Sequence, residues 1–287
     1  MSTQPPHRID AHQHFWSIAR NDYGWLTPDL VPLYRDFSPA DLQPLLGTHG
    51  VSGTVLVQAA PTLMETRYLL GLAARHAFIQ GVVGWVDLTS ADAPAVLDEL
   101  GQDPAFKGVR PMLQDLADDA WVAQASIAPA VRHLVRRGLS FDALVKPRHL
   151  PHLLRFAQAH DELALVIDHA AKPDIASGAF DGWRRDLAAL ARLPGVHVKL
   201  SGLVTEAGPG WSIEALRPLV EAVLEMFGPG RLLWGSDWPV LNLASDYAQW
   251  VQAADRLLSG LGQKDRQAVM AGNAQRFYRL APRSPSL

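Results

Sequence analysis

The sequence predicts an α/β fold in which eight parallel strands and the helices between them form one (β/α)8 TIM barrel. Short, nearly continuous apolar runs recur about every twenty to forty residues, and segments with helical spacing of apolar residues separate them. Such runs are typical of parallel strands that are buried on both faces. A chain of 287 residues is also long enough for one barrel, a fold that often fills ~250 residues as one domain. We therefore expect residues 1–287 to form a single domain.

The strand pattern occurs in eight segments. They are RIDAH (8–12), GTVLVQA (53–59), IQGVVGWVD (79–87), KGVRPM (107–112), LSFDALV (139–145), LALVIDH (163–169), VHVKLSG (196–202) and RLLWGSD (231–237). The longer interval between the first two segments contains Tyr23, Trp25 and several prolines. It is predicted to be an extended loop over the mouth of the barrel.

The helices are predicted from the spacing of apolar residues and from residues that favour helix starts and ends. Capping residues at predicted starts are Ser38, Asp92 and Ser212. Pro39 follows Ser38 at a first helical position, and Gly47 or Gly50 provides the stop. The other predicted helices are 63–76, 93–100, 121–137, 148–160, 181–192, 213–227 and 246–259, followed by one or two closing helices in 264–280.

Composition excludes several classes of protein and of chemistry. The net charge is −3 and both signs are interspersed, so no basic face favours nucleic acid or an anionic membrane as a partner. The chain has no cysteine, which excludes disulfides, thiolate nucleophiles and cysteine-based zinc sites. Residues 1–7 lack the apolar core of a signal peptide, and no apolar stretch approaches the ~18 residues that span a bilayer. We expect a cytoplasmic protein, either a monomer or a small homo-oligomer.

Four acidic or imidazole side chains lie at the ends of predicted strands. His12 and His14 end the first strand in RIDAHQHFW, His169 ends the sixth and Asp237 the eighth. Active sites of barrels gather at the C-terminal ends of the strands, and residues two apart on a strand point to the same side. The chain has 11 histidines, so an isolated HxH is a weak signal and can reflect packing alone. The matching positions of His169 and Asp237 favour a functional site.

Several motifs together resemble those of the amidohydrolase superfamily. They are DAHQHFW, GVR, DHAAKP, KLSG, LLWGSDWP and GNAQRFY, in this order over nearly the whole chain. The similarity extends to the branch of sugar-lactone hydrolases that includes L-fuconolactonases and L-rhamnonolactonases. The resemblance implies the distorted barrel of that superfamily and a small sugar lactone as substrate.

The chain departs from the binuclear metal pattern of that superfamily. The pattern needs a further histidine, but VHVKLSG carries Lys199 and Ser201 where it is expected. His197 shares their parity and is expected deep in the barrel. Lys146 follows FDALV and is interpreted as structural or substrate-facing rather than as a bridge between two metals. At most one zinc-like divalent ion therefore fits, and its ligands would be His12, His14, His169 and Asp237, a complete tetrahedral set.

The resemblance also implies that this ion is optional. The lactonase branch contains members that keep these ligands and hydrolyse lactones without a metal. A lactone is a strained cis ester whose carbonyl needs less activation than that of an amide. We therefore expect a site that can bind one ion, with no cofactor strictly required.

Asp237 is predicted to be the general base that takes a proton from the attacking water and returns it to the leaving alkoxide. Polarisation of the carbonyl is assigned to the three histidines, a bound cation or a fixed charge. Arg110 is the first candidate for that charge because its planar fork suits oxygen ligands. A salt bridge inside the barrel wall is the alternative for Arg110. Lys172 and Lys199 are further candidates of the same kind.

Side chains near the strand ends are candidates for binding a sugar. The chain has 9 tryptophans, and an indole offers a flat apolar face and one donor. The candidates are Trp16, Trp25, Trp85 and Trp238, together with Gln58, Asp87, Lys172 and Lys199. Packing is the favoured alternative for the tryptophans, except for Trp16, close behind HxH, and Trp238, directly after Asp237, which are expected to contact the ligand. Capping of loops is the alternative for Gln58 and Asp87.

The predicted function is hydrolysis of a sugar lactone, such as a deoxy-aldonolactone from L-fucose or L-rhamnose breakdown. One alternative is a metal-dependent decarboxylase of the same superfamily, which needs a second positive charge for its acidic substrate that the sequence does not make evident. Another is a barrel that binds sugar or metal without catalysis. Asp237 argues against it, because a carboxylate buried among imidazoles costs stability unless it has a function.

Overall fold

A computed structural model of the chain describes residues 7–281, and in it eight parallel strands pair in chain order. This arrangement confirms the predicted (β/α)8 barrel. The strands are β1 Arg8–Gln13, β2 Val51–Val57, β3 Ile79–Gly84, β4 Phe106–Val109, β5 Ser140–Ala143, β6 Ala164–Ile167, β7 Val196–Leu200 and β8 Leu232–Trp234. The single-domain prediction includes residues 1–6 and 282–287, which lie outside the described residues.

Helices follow the strands around the outside of the sheet. The α-helices are α1 Pro39–Thr48, α2 Leu63–Arg75, α3 Ala93–Leu100, α4 Ala128–Arg137, α5 Leu150–Ala159, α6 Asp181–Ala191, α7 Leu203–Ala207, α8 Ile213–Phe227, α9 Tyr247–Leu257, α10 Gln263–Gln267 and α11 Asn273–Phe277, with a π-helical segment Ala268–Gly272 before α11. Short 3₁₀ turns occur at Ile18–Arg20, Leu113–Asp115, Trp121–Ala123, Ala125–Ile127, Pro147–His149, Asp168–Ala171, Pro229–Arg231 and Val240–Leu243. None of the helices within residues 7–281 is long and apolar enough to cross a membrane.

Two predicted caps are found, and a third is wrong. The Ser38 amide donates to Asp41 at the start of α1, and the Ser212 hydroxyl accepts from the Ala215 amide at the start of α8. Gly50 has a φ of 64° just after α1, which suits the glycine stop. Asp92 makes no side-chain bond to α3 because its own backbone is already helical, with φ −84° and ψ −5°, whereas an N-cap needs extended backbone.

The helix predicted over 121–137 starts later than expected. The α-helix begins only at Ala128, after two 3₁₀ turns. Pro129 lies at the second helical position. A proline has no amide hydrogen and disfavours helical backbone in the residue before it, so Pro129 favours a helix start at this point over a continuous helix from 121.

The seam between the first and last strands is closed just beyond the end of β8. The Asp237 amide donates to the His12 carbonyl at 2.7 Å, and the His14 amide donates to the Trp238 carbonyl at 2.7 Å. The pairing of β1 with β2 is irregular between Asp10 and Gln13. The backbone that closes the barrel is therefore the backbone that carries two of the predicted site histidines.

The C-terminal helices cover the opposite end of the barrel, as predicted. One apolar cluster joins strand residues such as Ile9, Val55 and Leu233 to Phe277 and Tyr278. The half-buried ring of His197, early on β7, lies 4.8 Å from the ring of Phe277, in agreement with its expected place far from the mouth. The larger core cluster packs the helices against the outside of the sheet.

Candidate active site

The four side chains predicted at the strand ends converge at the mouth of the barrel. The Nε2 atoms of His12 and His14 are 3.2 Å apart. Asp237 Oδ1 lies 3.3 Å from His14 Nε2 and 3.6 Å from His12 Nε2, and 3.9 Å from His169 Nε2. All four residues are buried. Their roles in catalysis stay a prediction, but the structure brings them together.

Strained backbone places two of these residues. His169, Ala170, Ala171 and Lys172 have φ values between 49° and 62°, and Asp237 has a φ of 61°. Left-handed backbone costs about 1–2 kcal/mol for a residue with a side chain, and it persists where the surroundings over-determine it, commonly at functional sites. The consecutive left-handed residues turn the chain sharply at the end of β6, so that the His169 imidazole faces Asp237.

One glycine makes room for the His169 ring. A Cβ atom on Gly202 would lie 2.6 Å from His169 Nδ1, and the φ of Gly202 is also positive at 67°. Ser201, next to it, has its Oγ 2.9 Å from the same nitrogen. The KLSG motif at the end of β7 therefore fixes the orientation of the third histidine.

The donor set fits a single divalent cation. Zinc bonds of ~2.0–2.1 Å in a tetrahedron place the ligand atoms about 3.3–3.4 Å apart. The distance between His12 Nε2 and His14 Nε2 and the three distances from Asp237 Oδ1 to the histidines run from 3.2 to 3.9 Å. One ligand atom from each of His12, His169 and Asp237 falls within 4.8 Å of the others. In metal sites the ring nitrogen of a histidine that does not bind the metal is usually hydrogen-bonded to another residue. The Nδ1 atoms of His14 and His169 have such partners, the Val57 carbonyl at 2.8 Å and Ser201.

Burial controls the charges of this cluster. It lowers the pKa of His12 well below its usual value, with the charge of Lys199 acting in the same direction. It also lowers the pKa of His14, and that of His169 to about 4. Burial alone would raise the pKa of Asp237, but the neighbouring histidines, His169 first, hold it below its usual range. At neutral pH the site thus contains neutral imidazoles around a carboxylate.

A fully buried ionic network lies directly beneath the histidines. Lys199 Nζ is 2.6 Å from Asp142 Oδ2, 3.0 Å from Asp168 Oδ1 and 3.1 Å from His12 Nδ1. The Tyr278 hydroxyl donates to Asp142 Oδ2 at 2.6 Å. Arg110 approaches Asp168 Oδ2 at 3.5 Å. The network connects the closing segment at one end of the barrel to the site at the other.

A cavity of about 270 Å³ opens above the cluster. Its size is close to the lower end of the ~300–1,000 Å³ usual for small-molecule sites. Apolar side chains that line it are Trp25, Leu30, Leu33, Met112, Val240 and Leu243. Polar side chains that line it are His14, Arg110, Gln114, Asp115, His169, Lys172, Thr205 and Asp237. The cavity therefore offers both apolar surface and charged or hydrogen-bonding groups to a small polar ligand.

Comparison with known proteins decides the family. The profile described as amidohydrolase matches residues 9–280. The chain belongs to the amidohydrolase family. This confirms the resemblance seen in the motifs.

Individual relatives of this amidohydrolase align over almost the whole chain. It is 52% identical to an L-fucono-1,5-lactonase of Burkholderia ambifaria, over 95% of this chain and 96% of the relative. It is 39% identical to an L-fucono-1,5-lactonase of Burkholderia multivorans, again over 95% of this chain and 96% of the relative. A crystal structure of an amidohydrolase from Burkholderia multivorans with bound zinc superposes with a TM-score of 0.92 at 39% identity, covering 96% of this chain and 99% of that chain.

Within this amidohydrolase, three of the predicted ligand-binding residues line the cavity. Arg110 lines the cavity and also donates to the Gln58 carbonyl. The two interpretations of this residue, a positive charge in the site and a salt bridge inside the barrel wall, therefore each describe part of its surroundings. Trp25 is half-buried and anchored by its Nε1 to the Ala59 carbonyl at 2.8 Å. Lys172 pairs with Glu206 at 3.4 Å.

The other predicted sugar-binding residues are not among the described residues that line the cavity. They are Trp16, Gln58, Trp85, Asp87, Lys199 and Trp238. The buried ring of Trp16 stands at 90° to that of Trp25 and supports it from behind. The amide of Gln58 donates to the Arg110 carbonyl at 2.6 Å, and exposed Asp87 accepts from Thr89 at the start of a loop. These contacts match the packing and capping alternatives.

Trp85, Trp238 and Lys146 also face other surroundings. The half-buried Trp85 is held through its backbone, whose amide donates to the Thr66 hydroxyl oxygen at 2.8 Å. The buried ring of Trp238 packs edge-on against Phe37 at 5.2 Å. Lys146 is exposed at the end of β5 and is not among the described cavity residues.

Sequence reasoning missed several members of the site. Asp168 precedes His169 in the same motif, but an acid directly beside a histidine was not distinguishable from a surface turn. Gln114 lies in the 3₁₀ turn Leu113–Asp115 and Thr205 in the short helix α7, and both elements are too short to leave a periodic pattern in the sequence. Both residues line the cavity, and each has a buried oxygen without a hydrogen-bond partner among the described residues. Such oxygens suit the hydroxyl groups of a sugar.

Proposed function

We propose that this protein hydrolyses L-fucono-1,5-lactone or a closely similar 6-deoxy sugar lactone, with Asp237 as the base. The two L-fucono-1,5-lactonase relatives support the sugar. The enzyme class, a lactone hydrolase acting on a carboxylic ester, is confirmed by the same relatives.

One observation carries the mechanism. The Asp237 carboxylate lies at the floor of the cavity, within 3.3 to 3.9 Å of three imidazole nitrogens, and its pKa is held below the usual range by those histidines. It is therefore ionised at neutral pH and can accept a proton. A general base within hydrogen-bond reach of water contributes ~10²–10⁴-fold to such a step.

The reaction then proceeds in two stages. Asp237 takes a proton from a water molecule, whose oxygen forms a bond to the lactone carbonyl carbon. As this bond forms, the π electron pair of the C=O bond moves onto the carbonyl oxygen. The tetrahedral intermediate collapses when the bond between that carbon and the ring oxygen breaks. Asp237 returns its proton to the ring oxygen, and the product is an open hydroxy acid. This balance needs only water, and the carboxyl group of the product ionises in solvent.

Fixed charges in the cavity favour both the intermediate and the product. The Arg110 guanidinium is buried beside His12, with Nη1 3.3 Å from His12 Nε2. A preorganised cation in a site shielded from water stabilises a developing oxyanion far more than it would in solution. Lys172 also lines the cavity. We expect these positive groups to stabilise the negative charge that forms on the substrate.

The mixed lining of the cavity suits a deoxy sugar. Trp25, Leu30 and Leu33 line it with apolar surface, and apolar faces of this kind fit the C–H surface of a sugar ring. Gln114 and Thr205, which also line it, each have a buried oxygen without a partner among the described residues. A buried acceptor without a partner costs stability until a donor pairs with it, which favours a ligand with hydroxyl groups.

A divalent cation, when bound, would be held by the inner nitrogens of the three histidines and by Asp237, and would polarise the substrate carbonyl as a Lewis acid. The zinc-bound relative supports such a site in this family. The steps assigned above to Asp237 and Arg110 use only atoms of the chain.

The test is a screen of aldonolactones in which a pH indicator follows acid release, with and without chelator. We expect the highest kcat/KM with L-fucono-1,5-lactone or a 6-deoxy neighbour such as the L-rhamnonolactones. Turnover confined to carboxylated aromatic substrates, abolished by chelator, would instead identify a decarboxylase. Tight sugar binding without turnover on any lactone would contradict the proposal.

A further inference from the structure

Three consecutive backbone carbonyls at and just beyond the end of β2 each accept a hydrogen bond from a side chain of the candidate site. The pairs are the Val57 carbonyl with His14 Nδ1 at 2.8 Å, the Gln58 carbonyl with the Arg110 guanidinium, and the Ala59 carbonyl with Trp25 Nε1 at 2.8 Å. His14, Arg110 and Trp25 all line the cavity. The course of the chain over residues 57–59 therefore sets the orientation of three cavity side chains.

The sheet holds only the first part of this segment. Val57 lies opposite Val83 on β3, and the Gln58 amide donates to the Val83 carbonyl at 2.8 Å. Ala59 and Ala60 are buried, and within residues 7–281 their amides make no bond to a backbone carbonyl. A buried N–H group needs an acceptor, so a side chain must supply it.

That acceptor is the carboxyl group of Glu65, in the first turn of α2. The Ala59 amide donates to Glu65 Oε1 at 2.9 Å and to Oε2 at 3.1 Å, and the Ala60 amide donates to Oε2 at 2.8 Å. Glu65 is completely buried, and its own amide donates to the Thr62 hydroxyl at 3.0 Å. The start of α2 thus holds the carboxyl group, and the carboxyl group holds the chain where the sheet no longer does.

Helix capping does not account for these bonds. In a capping box, a glutamate at this position accepts from the amide of the N-cap residue, here Thr62. The Thr62 amide instead donates to the Ala60 carbonyl at 2.9 Å, and both oxygens of Glu65 bond to residues that precede the helix. Glu65 is not among the described residues that line the cavity. Its contacts reach the cavity through the segment that it holds.

We propose that Glu65 is a positioning residue of the candidate site, which fixes the Ala59 carbonyl, and with it the indole of Trp25, by holding the Ala59 and Ala60 amides. Trp25 depends on Glu65 most directly, because its acceptor belongs to a residue whose amide Glu65 binds. The Arg110 guanidinium, which bonds to the preceding carbonyl, depends on Glu65 less directly. The effect on turnover rests on the proposed function, whereas the orientation of Trp25 does not.

Hydrogen exchange of the Trp25 indole tests this positioning without any substrate. Spectra of ¹⁵N-labelled protein resolve the indole N–H groups, and a Trp25→Phe variant identifies the signal of Trp25. In Glu65→Gln the side chain keeps one acceptor oxygen, and in either orientation its NH₂ group faces one of the two amides. We expect the Trp25 Nε1–H of this variant to exchange about tenfold faster than in wild type, because local opening exposes it. An unchanged rate would overturn the proposal.

Two other indoles are internal controls. Trp183 and Trp250 are buried and donate from Nε1 to the Ala170 and Gly235 carbonyls at 2.7 and 2.8 Å. Their exchange rates should change less than about threefold, since opening confined to the cavity segment leaves them protected. Equal acceleration of all three indoles would indicate a general loss of stability and would also overturn the proposal. Glu162→Gln, at an exposed position, is the matched control variant and should leave all three rates unchanged.

Kinetics with L-fucono-1,5-lactone test the consequence for the substrate. Trp25→Ala should raise KM about tenfold in the wild-type background but less than about threefold in the Glu65→Gln background, because the second change acts on a ring that the first has already released. An equal effect in both backgrounds would contradict the proposal. If no lactone is turned over at all, the proposed function fails, and the exchange measurement still decides the role of Glu65. Should Glu65→Gln not fold, Glu65→Asp, which keeps both oxygens but is shorter by one methylene group, replaces it in both measurements.

Discussion

Asp237 and His12 are joined twice, once through the backbone and once through their side chains. The Asp237 amide donates to the His12 carbonyl at 2.7 Å, while Asp237 Oδ1 lies 3.6 Å from His12 Nε2. The first bond closes the seam of the barrel, and the second contact belongs to the candidate site. The closing of the fold therefore sets the distance between the proposed base and a neighbouring imidazole, and a change confined to the side chain leaves the seam intact.

We expect Asp237→Asn to reduce lactone hydrolysis by ~10²–10⁴-fold, the usual contribution of a positioned acid–base group. The amide has the size of the carboxylate but does not accept a proton at neutral pH. The measurement is kcat/KM on a sugar lactone together with the melting temperature. Asp87→Asn, an exposed acid outside the cavity, is the matched control and should keep full activity. An Asp237→Asn enzyme with more than a tenth of wild-type turnover would rule out this base.

Arg110→Met should lower kcat/KM by about 10²-fold, the usual cost of losing one group that stabilises an oxyanion. Arg110 also approaches Asp168 at 3.5 Å, but Asp168 keeps its contact with Lys199 at 3.0 Å, so we expect the variant to fold. Activity is expressed per folded molecule, with folding followed by thermal melting. Early melting combined with normal activity of the folded fraction would show that Arg110 has a structural role only.

The order and type of the elements could be predicted because they depend on local patterns. Buried parallel strands and amphipathic helices each give a characteristic spacing of apolar residues in the sequence. The ends of the strands were less predictable. Most predicted strands, such as 79–87 and 231–237, extend two or three residues beyond the observed ones, because the apolar pattern continues after the chain has left the sheet. The consecutive residues with left-handed backbone that begin at His169 include no glycine, so the sequence did not indicate this conformation.

The residues of the site were predictable in part, for a related reason. His12, His14, His169 and Asp237 follow strands directly, so their places derive from the barrel itself. The depth of Lys199 could not be known without the register of β7. It lies opposite Leu233 inside the barrel instead of at the mouth. The tryptophans were not separable by sequence, since Trp16 and Trp25 lie on the same irregular loop and only Trp25 reaches the cavity.

Trp25→Ala should raise KM about tenfold and change kcat less than threefold. The indole lines the cavity and its Nε1 donates to the Ala59 carbonyl, so the ring should bind the substrate and the transition state equally, and loss of such uniform binding appears in KM. The check is steady-state kinetics with L-fucono-1,5-lactone. Trp25→Phe keeps a flat apolar face but loses the bond to the Ala59 carbonyl, and we expect it to be closer to wild type. Unchanged KM in Trp25→Ala would assign this side chain to packing alone.

Glu65 should make the protein less stable as the pH rises from about 4.5 to about 7. Its carboxylate accepts from the Ala59 and Ala60 amides, but burial raises its pKa from 4.5 to about 7. The folded state then binds a proton that the unfolded state has released, so the free energy of unfolding falls through this range, by up to about 3 kcal/mol.

Glu65→Gln should remove this part of the pH dependence. Urea unfolding at a series of pH values gives the free energy of unfolding of wild type and variant, and the difference between the two curves is the contribution of Glu65. The difference is needed because burial also raises the pKa of Asp10, to about 6, and Asp10 adds a similar pH dependence to both proteins. Glu162→Gln, an exposed position, is the control and should follow wild type. Parallel pH profiles of wild type and Glu65→Gln would contradict the expectation.

Lactone hydrolysis should continue after the metal is removed. The cavity already contains the positive charge of Arg110 beside the His12 ring, and Asp237 is ionised without help from a cation because the histidines lower its pKa. A lactone carbonyl is reactive enough that these groups suffice. The amidohydrolase from Burkholderia multivorans was crystallised with bound zinc, which makes the measurement necessary for this chain. The protein is treated with a strong chelator, loss of metal is confirmed by elemental analysis, and hydrolysis of L-fucono-1,5-lactone is followed at once. We expect at least a third of the original kcat/KM. Activity that disappears with the metal and returns when zinc is added would instead make His12, His14 and His169 obligatory ligands.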